Sequence, residues 1–386
     1  MKRILSLFLA VVPLMAFAQF SGSGWYRVQS KASERYLTVV DPSKIYRSNA
    51  DVILVGLHCI AGYDERVAPN PATIVWIEQK RVEGVLTYIN LIGQGLNFDA
   101  VMNGSASLSL RSLSPGYLLY GSGSGVARYI YDPSNSSQDN PYTAAGQSAA
   151  YAWYVLPVTG SDQYFGVKPE VQATADGSYW ATLYASFPFV APSGMKVYTV
   201  SRVVDAYAVV KEVTGTVPTA TPLLVRCSGA TAAANKVTLK KLGESPAAVS
   251  GNLLKGNYYC YIDASREQKH NALEFNTTTM RILSIGSDGK PVFTNADDSN
   301  LPADKYQRKY LPANKCYLQV EASTPAELKI VTEEEYAAAG IRSVTMDEAV
   351  KGRKGVFTLD GQHLGDSTDG LQKGVYVVNG KKVVVK

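Results

Sequence analysis

The chain predicts an all-β protein. Short Thr/Val/Tyr-rich runs alternate with turn residues along most of its length, charged residues make up only 18% of 386 residues while Tyr (25) and Gly (32) are abundant, and one convincing helical signal occurs, near residue 332. The same composition suits an extracellular protein. Length alone suggests two or three domains.

The first element is an export signal. Lys2-Arg3 supply a positive start, Ile4 to Met15 an apolar stretch, and Ala16-Phe17-Ala18 the small residues a signal peptidase reads, so residues 1–18 should be removed between Ala18 and Gln19. The stretch is shorter than the roughly 20 residues that cross a bilayer, Pro13 interrupts it, and no Cys follows the cleavage point as a lipid anchor would need. No later segment has spanning length, so no transmembrane segment is expected. Removing Lys2 and Arg3 lowers the formal charge from +5 to +3. Over a chain this long that is too little to argue for nucleic acid or an anionic membrane as partner.

From Gly24 onward, short strands come in related pulses. Trp25 to Gln29 is followed by Tyr36 to Val40, Ile74 to Glu78 by Thr87 to Leu91, and Ala152 to Leu156 by Gln163 to Val167. Each pulse sets a Trp on an apolar strand and then a second strand after a polar turn, which predicts a three-fold repeated β-fold sharing one core over 20–171. The opening Gly24-Trp25-Tyr26-Arg27-Val28 with Tyr36-Leu37-Thr38-Val39 resembles β-trefoil domains of the ricin-lectin type. The Gln-x-Trp signature of lectin trefoils is absent, since Trp76 follows Ile74-Val75 and Trp153 follows Tyr151-Ala152. The Ser/Gly/Asn-rich stretch from Ser112 to Ala149 breaks the repeat and reads as a surface excursion, with Gly121 to Gly125 as a flexible loop.

The next region, 172–331, predicts an antiparallel β-sandwich. Tyr179 to Tyr184, Met195 to Val200 and Val217 to Val225 are strands punctuated by Pro-x-Gly and Pro-x-x-x-Pro turns, and Leu311 to Leu318 repeats the spacing of Pro218 to Leu224. The order of these strands resembles a module of uncharacterised surface proteins of anaerobic Gram-negative bacteria. Cys59, Cys227, Cys260 and Cys316 lack zinc or dithiol spacing; each is either a buried thiol or, for a pair drawn from the last three, a disulfide.

Thr332-Glu333-Glu334-Glu335 has capping-box spacing and opens a helical linker over 332–352. The tail, 353–386, reads as hairpins. Asp360-Gly361 and Asn379-Gly380 accept positive φ and predict tight turns, the second setting Val378 opposite Lys381 and Tyr376 opposite Val383. With Val356, Leu359, Gly361, Leu371, Gly374, Tyr376, Val378, Lys382, Val383 and Lys386 in place, the tail resembles the C-terminal sorting domain of type IX secretion substrates. That resemblance implies an export machinery as partner and an extracellular or outer-membrane surface location, after Sec export through the periplasm.

No catalytic constellation is visible. His58, His270 and His363 fall in separate regions and read as surface or turn residues, no metal site or cofactor is expected, and Asn295 to Asn300 lacks the Gly and terminal Glu of a calcium loop. Trp25, Trp76, Trp153 and Trp180 lie on apolar strands and are expected in the core. Tyr63, Tyr142 and Tyr151, expected in loops, are the ligand-contact candidates, since a tyrosine offers a flat face and a polar tip. The expectation is an exported, non-catalytic, adhesin-like protein that contacts a glycan, for carbohydrate binding, or a host or surface protein. The alternatives are a structural surface component, a glycan-active hydrolase with dispersed carboxylates, and a trefoil protease inhibitor.

Overall fold

A computed structural model describes residues 20–39, 45–48, 51–54, 57–82, 85–93, 96–97, 107–123, 126–134, 140–258, 261–263, 268–270, 272–338, 355–359, 361–379 and 381–385. The cleavage point Ala18/Gln19, Cys260, Gly380 and Lys386 lie outside them. The protein is all-β, with several antiparallel sheets and a single α-helix among the described residues, Glu333–Ala338. No described helix is long and apolar enough to cross a membrane. The chain divides into two compact units between Val331 and Thr332.

The first half of the larger unit is built on a closed ring of antiparallel strands. Gly24–Ser30 pairs with Val75–Val82 (Trp25 opposite Trp76), which pairs with Val85–Gly93, then Ser107–Ser112 and Tyr117–Gly123. Tyr117–Gly123 pairs with Ala152–Pro157, and that strand returns to Gly24–Ser30 with Val28 opposite Val155. Because side chains alternate along a strand, each ring strand feeds two environments. Tyr26, Val28, Val75, Ile77, Trp153 and Val155 fill the inside of the ring. Trp153 is fully buried there, and its Nε1 donates to the Ile130 carbonyl at 2.8 Å.

The ring includes part of the stretch expected to be a surface excursion. Tyr117–Gly123 is a ring strand and Val126–Tyr131 pairs against it, with Leu118, Leu119 and Ile130 buried. Ser and Gly at Gly121–Gly123 do not make a loop; they occupy strand positions opposite Val126, Ala127 and Arg128. A Gly-Ser-Gly run takes up strand geometry here because strands on both sides complete its backbone hydrogen bonding. His58 also departs from its expected surface position: it lies buried in Leu57–Ile60, opposite Thr38.

The outward faces of the first ring strands build a second core. Trp25, Ile74 and Trp76 pack with Phe165, Leu183, Phe187, Phe189, Val197, Leu223 and Val225 of the following region. Trp25 and Trp76 meet edge-on at 5.1 Å, and Trp25 meets Phe187 at 5.7 Å. The second half is a ten-stranded sheet whose central strands Lys196–Val204 and Leu223–Cys227 are covered on both faces. Val197, Leu223 and Val225 face the second core, whereas Tyr198, Val200 and Leu224 enter a third with Leu254, Leu283, Phe293, Leu318 and Leu328. Two-sided burial explains the uninterrupted Leu223-Leu224-Val225 run. Cys227 and Cys316 are buried thiols; the Cys316 Sγ donates to the Leu183 carbonyl at 3.0 Å.

In the smaller unit the helix begins as its spacing requires. Thr332 Oγ1 accepts from the Glu335 amide (3.2 Å), and Glu335 Oε2 accepts from the Thr332 amide (2.8 Å). A four-stranded sheet follows, ordered His363–Gly365, Val356–Phe357, Gly374–Val378, Lys381–Val385. The last hairpin has Val378 opposite Lys381 and Tyr376 opposite Val383, with Asn379 at φ 51°. The first hairpin is wider than a two-residue turn. The Thr358 amide donates to the Gln362 carbonyl, with three chain positions between them, and Gly361 sits at φ 92°, while Asp360 lies outside the described residues. A Gly in the left-handed region is what closes loops of that length.

Candidate functional site

Tyr142 and Tyr151 are brought together by a third tyrosine. Tyr131 sits opposite Tyr142 across a strand pair, with ring centroids 6.0 Å apart and edge-on, and its other neighbour Tyr151 stacks on it at 4.2 Å. All three are partly exposed. Local chemistry sets each one. Arg128 donates from Nε to Thr143 Oγ1 (2.8 Å) and from Nη2 to the Thr143 carbonyl (3.1 Å), holding the Tyr142 strand. Ser148 Oγ accepts from the Ala150 amide and starts the 3-10 turn Ala149–Tyr151, which delivers Tyr151 just before the buried Trp153. Tyr131 is followed by Asp132, a buried carboxylate that receives both Arg35 Nε (2.8 Å) and Arg35 Nη2, along with Ser33 Oγ (2.5 Å) and the Ser134 amide (3.1 Å). Burial alone would raise the Asp132 carboxyl; the bonds from Arg35 and Ser33 outweigh it and hold it low.

Tyr63 is not part of this trio. Its ring packs against Tyr36 and Tyr164, and its hydroxyl accepts from Arg27 Nη1 (3.2 Å) and the Tyr164 amide (2.9 Å). Arg27 is fully buried beside it, with Nε donating to Thr73 Oγ1 at 2.9 Å and Nη2 to the Val67 and Ala68 carbonyls. Desolvation pushes its guanidinium down to about 10. Trp25, Trp76 and Trp153 are core residues; Trp180 is half-buried, with Nε1 donating to Ser178 Oγ (2.7 Å).

Two adjoining cavities lie in the larger unit. One, of about 330 Å³, lies among Asn70, Pro71, Phe165, Lys168 and Asn314. The other, of about 260 Å³, lies among Asp297, Asn300, Leu301, Leu311 and Cys316. Glu170, Thr182 and Lys315 line both. Glu170 Oε1 accepts from Lys315 Nζ (2.8 Å), the Thr182 amide (2.7 Å) and Thr182 Oγ1 (2.9 Å). Asp297 takes Ser299 Oγ and its amide, and Ser284 Oγ; the bonds from Ser299 come first among the causes that hold its carboxyl low. The low Asp297 carboxyl is suited to accepting from polar groups rather than to donating a proton. No group of three or more potential metal ligands occurs among the described residues.

Of the tail residues, Gly374 and Tyr376 lie on the third strand of the small sheet and Lys382 and Val383 on the fourth, while Leu371 precedes them in a turn. Tyr376 Oη donates to the Gln372 carbonyl at 2.9 Å. Sequence reasoning passed over Tyr131 and Asp132 because they were assigned to an excursion. The alternating Tyr129-Ile130-Tyr131 was the available signal.

Comparison with protein-family models, with curated proteins and with solved structures finds no match to this chain. Its function is therefore argued from its own residues.

Proposed function

We propose that the protein is an exported, non-catalytic binding protein that contacts glycans, at the cell surface or after release, through the ring half of its larger unit. The observation that carries this is the partly exposed Tyr131, Tyr142 and Tyr151 cluster, which offers clustered aromatic surface on side chains that also carry hydroxyls, a combination suited to sugar rings. The closed six-strand ring, with its hairpin-like excursions, supports a trefoil-like reading of residues 20–171, and the two-sided sheet supports a sandwich module over 172–331 fused to it through the Trp25 core. The signal sequence and the tail hairpin support export, with the tail as the element read by the exporting machinery.

A glycan array probed with the mature chain, Gln19 to Lys386, tests the binding reading. Retention on neutral glycans that is lost in a Tyr142→Ala/Tyr151→Ala variant is expected; a blank array, or binding indifferent to both substitutions, contradicts it. Export is tested separately by deleting residues 355–386, which should leave the protein in the periplasm. A second reading, a glycan-active hydrolase, draws on Glu170 and Asp297 sharing the smaller cavity. Release of reducing ends by the wild-type chain and not by Glu170→Gln would favour it.

A further inference from the structure

We propose that the tyrosine trio is one end of a longer strip, and that the strip takes the interior of an unbranched, extended neutral polysaccharide, several sugars at a time. This rests on the glycan reading above and narrows its ligand. Strand register sets the strip. Tyr131 lies opposite Tyr142, and Tyr129, two positions earlier on the same strand, lies opposite Tyr120 of Tyr117–Gly123. Residues two apart on a strand share a face. Ile130, between Tyr129 and Tyr131, and Leu119, beside Tyr120, both enter the ring core, so the four tyrosines stand on the outside of the ring. The Tyr120 and Tyr129 ring centroids are 6.0 Å apart, the same separation as Tyr131 and Tyr142, and Tyr151 stacks on Tyr131 at 4.2 Å. Five tyrosines thus follow one another across three paired strands and the turn that carries Tyr151.

The five divide into a floor and its contact rings. Tyr129 is 8% exposed and Tyr131 has one face covered by Tyr151, so these two are support. Tyr120, Tyr142 and Tyr151 are the partly exposed rings they hold, Tyr120 at one end and the other two at the far end. Two strand spacings and one two-residue step separate Tyr120 from Tyr142, roughly 12 Å on the diagonal. A single sugar ring does not touch both ends, whereas a run of consecutive sugars does. The hydroxyls of Tyr120, Tyr129 and Tyr151 bond to no group among the described residues and reach solvent, so they are open to sugar hydroxyls. Small side chains flank the strip, Ala144 opposite Tyr129 and Ser109 opposite Tyr120, and none of the five tyrosines lines either cavity of the larger unit. Such a surface suits a chain passing over it rather than a chain terminus held in a pocket. Ribbon-like chains of the cellulose and mannan kind present the C–H face of each successive sugar along one line, as a row of fixed aromatic rings requires; amylose-like chains coil and turn those faces away. Because paired strands already order the rings, little of their freedom remains to be lost on binding.

The test titrates the full mature chain, by calorimetry, with cellohexaose, mannohexaose and maltohexaose and with the three corresponding trioses. Cellohexaose or mannohexaose should bind, and more tightly than its own triose by about ten-fold, because only the longer chain reaches Tyr120. Tyr120→Ala should remove that advantage, weakening the hexaose by about ten-fold while leaving the triose within about two-fold of wild type, which also shows that the variant is folded. Tyr142→Ala with Tyr151→Ala should abolish binding of both lengths. The inference is overturned, with the trio reading intact, if the triose binds as tightly as its hexaose, if Tyr120→Ala binds the hexaose as wild type does, or if maltohexaose binds as tightly as the extended hexaoses. If no hexaose binds while the array retains another neutral glycan, this inference alone fails. A blank array removes the reading beneath it as well.

Discussion

Trp25 Nε1 donates a 2.7 Å hydrogen bond to the carbonyl of Lys240, across 215 positions of chain. The strand that carries Trp25 also sends Tyr26 and Val28 into the ring, so one short segment serves two cores. Trp25→Ala should therefore destabilise the larger unit by about 3–5 kcal/mol, as large aromatic truncations in cores do, and should lower ring and sandwich probes together. Denaturant unfolding followed by near-UV circular dichroism and by proteolysis checks this. Separate transitions for the two halves would contradict the shared core.

The Arg35 and Asp132 pair gives an acid-side prediction. The folded carboxyl is held below its unfolded value, so its contribution to stability is present above about pH 4 and is lost as pH falls through the folded value. Asp132→Asn should remove that acid dependence and cost about 2–3 kcal/mol at neutral pH, because Arg35 loses a charged partner in a largely buried place. Urea midpoints from pH 3 to 7 for the two proteins measure both effects.

Cys227 and Cys316 act on the alkaline side. Burial pushes both thiols up to about 12, while unfolded thiols ionise near 9. A folded value raised above the unfolded one contributes stability that is present below about pH 9 and is lost as pH rises toward 12. Cys227→Ala with Cys316→Ala should flatten the decline between pH 8.5 and about 11. In the native wild type neither thiol should react with a thiol reagent at pH 7.5 until denaturant is added.

Ala220 holds φ 57° at an exposed turn position where its amide donates to the Ala185 carbonyl at 3.0 Å. A side chain costs energy in that left-handed conformation, so Ala220→Gly should raise stability by about 0.5–1 kcal/mol despite the greater freedom of the unfolded chain. Thermal unfolding checks the sign; a lowered midpoint would contradict the backbone argument.

Local signals in the sequence were readable wherever a few neighbouring residues determine the outcome. The capping box of Thr332 and Glu335 forms in both directions, and the Asn379 turn sets Tyr376 opposite Val383 as its two-residue loop demands. The apolar strands with Trp25, Trp76 and Trp153 were legible for the same reason. What escaped depends on partners far along the chain. The closure of Val28 on Val155 gives Gly121–Gly123 a place in a ring, and no local pattern reveals that pairing. His58 was assigned to the surface by type, whereas its strand is buried and pairs with Tyr36–Val39 from another segment. Within the candidate site, Tyr142 and Tyr151 were expected in loops, whereas Tyr142 lies on the strand Tyr142–Ala144 and Tyr151 ends a 3-10 turn, and Tyr131 joins them only once its strand is paired. Tyr63 looked equivalent from composition and instead serves the buried Arg27.

The tyrosine trio of Tyr131, Tyr142 and Tyr151 is the proposed resting surface for a glycan. Ring-labelled tyrosine in the mature chain, followed by NMR during titration with the neutral glycan best retained on the array, tests it most directly. The resonances of Tyr131, Tyr142 and Tyr151 should shift together and saturate, with Tyr63 and Tyr306 unmoved and the glycan recovered intact. Shifts confined to other tyrosines, or cleavage of the sugar during the titration, would contradict it.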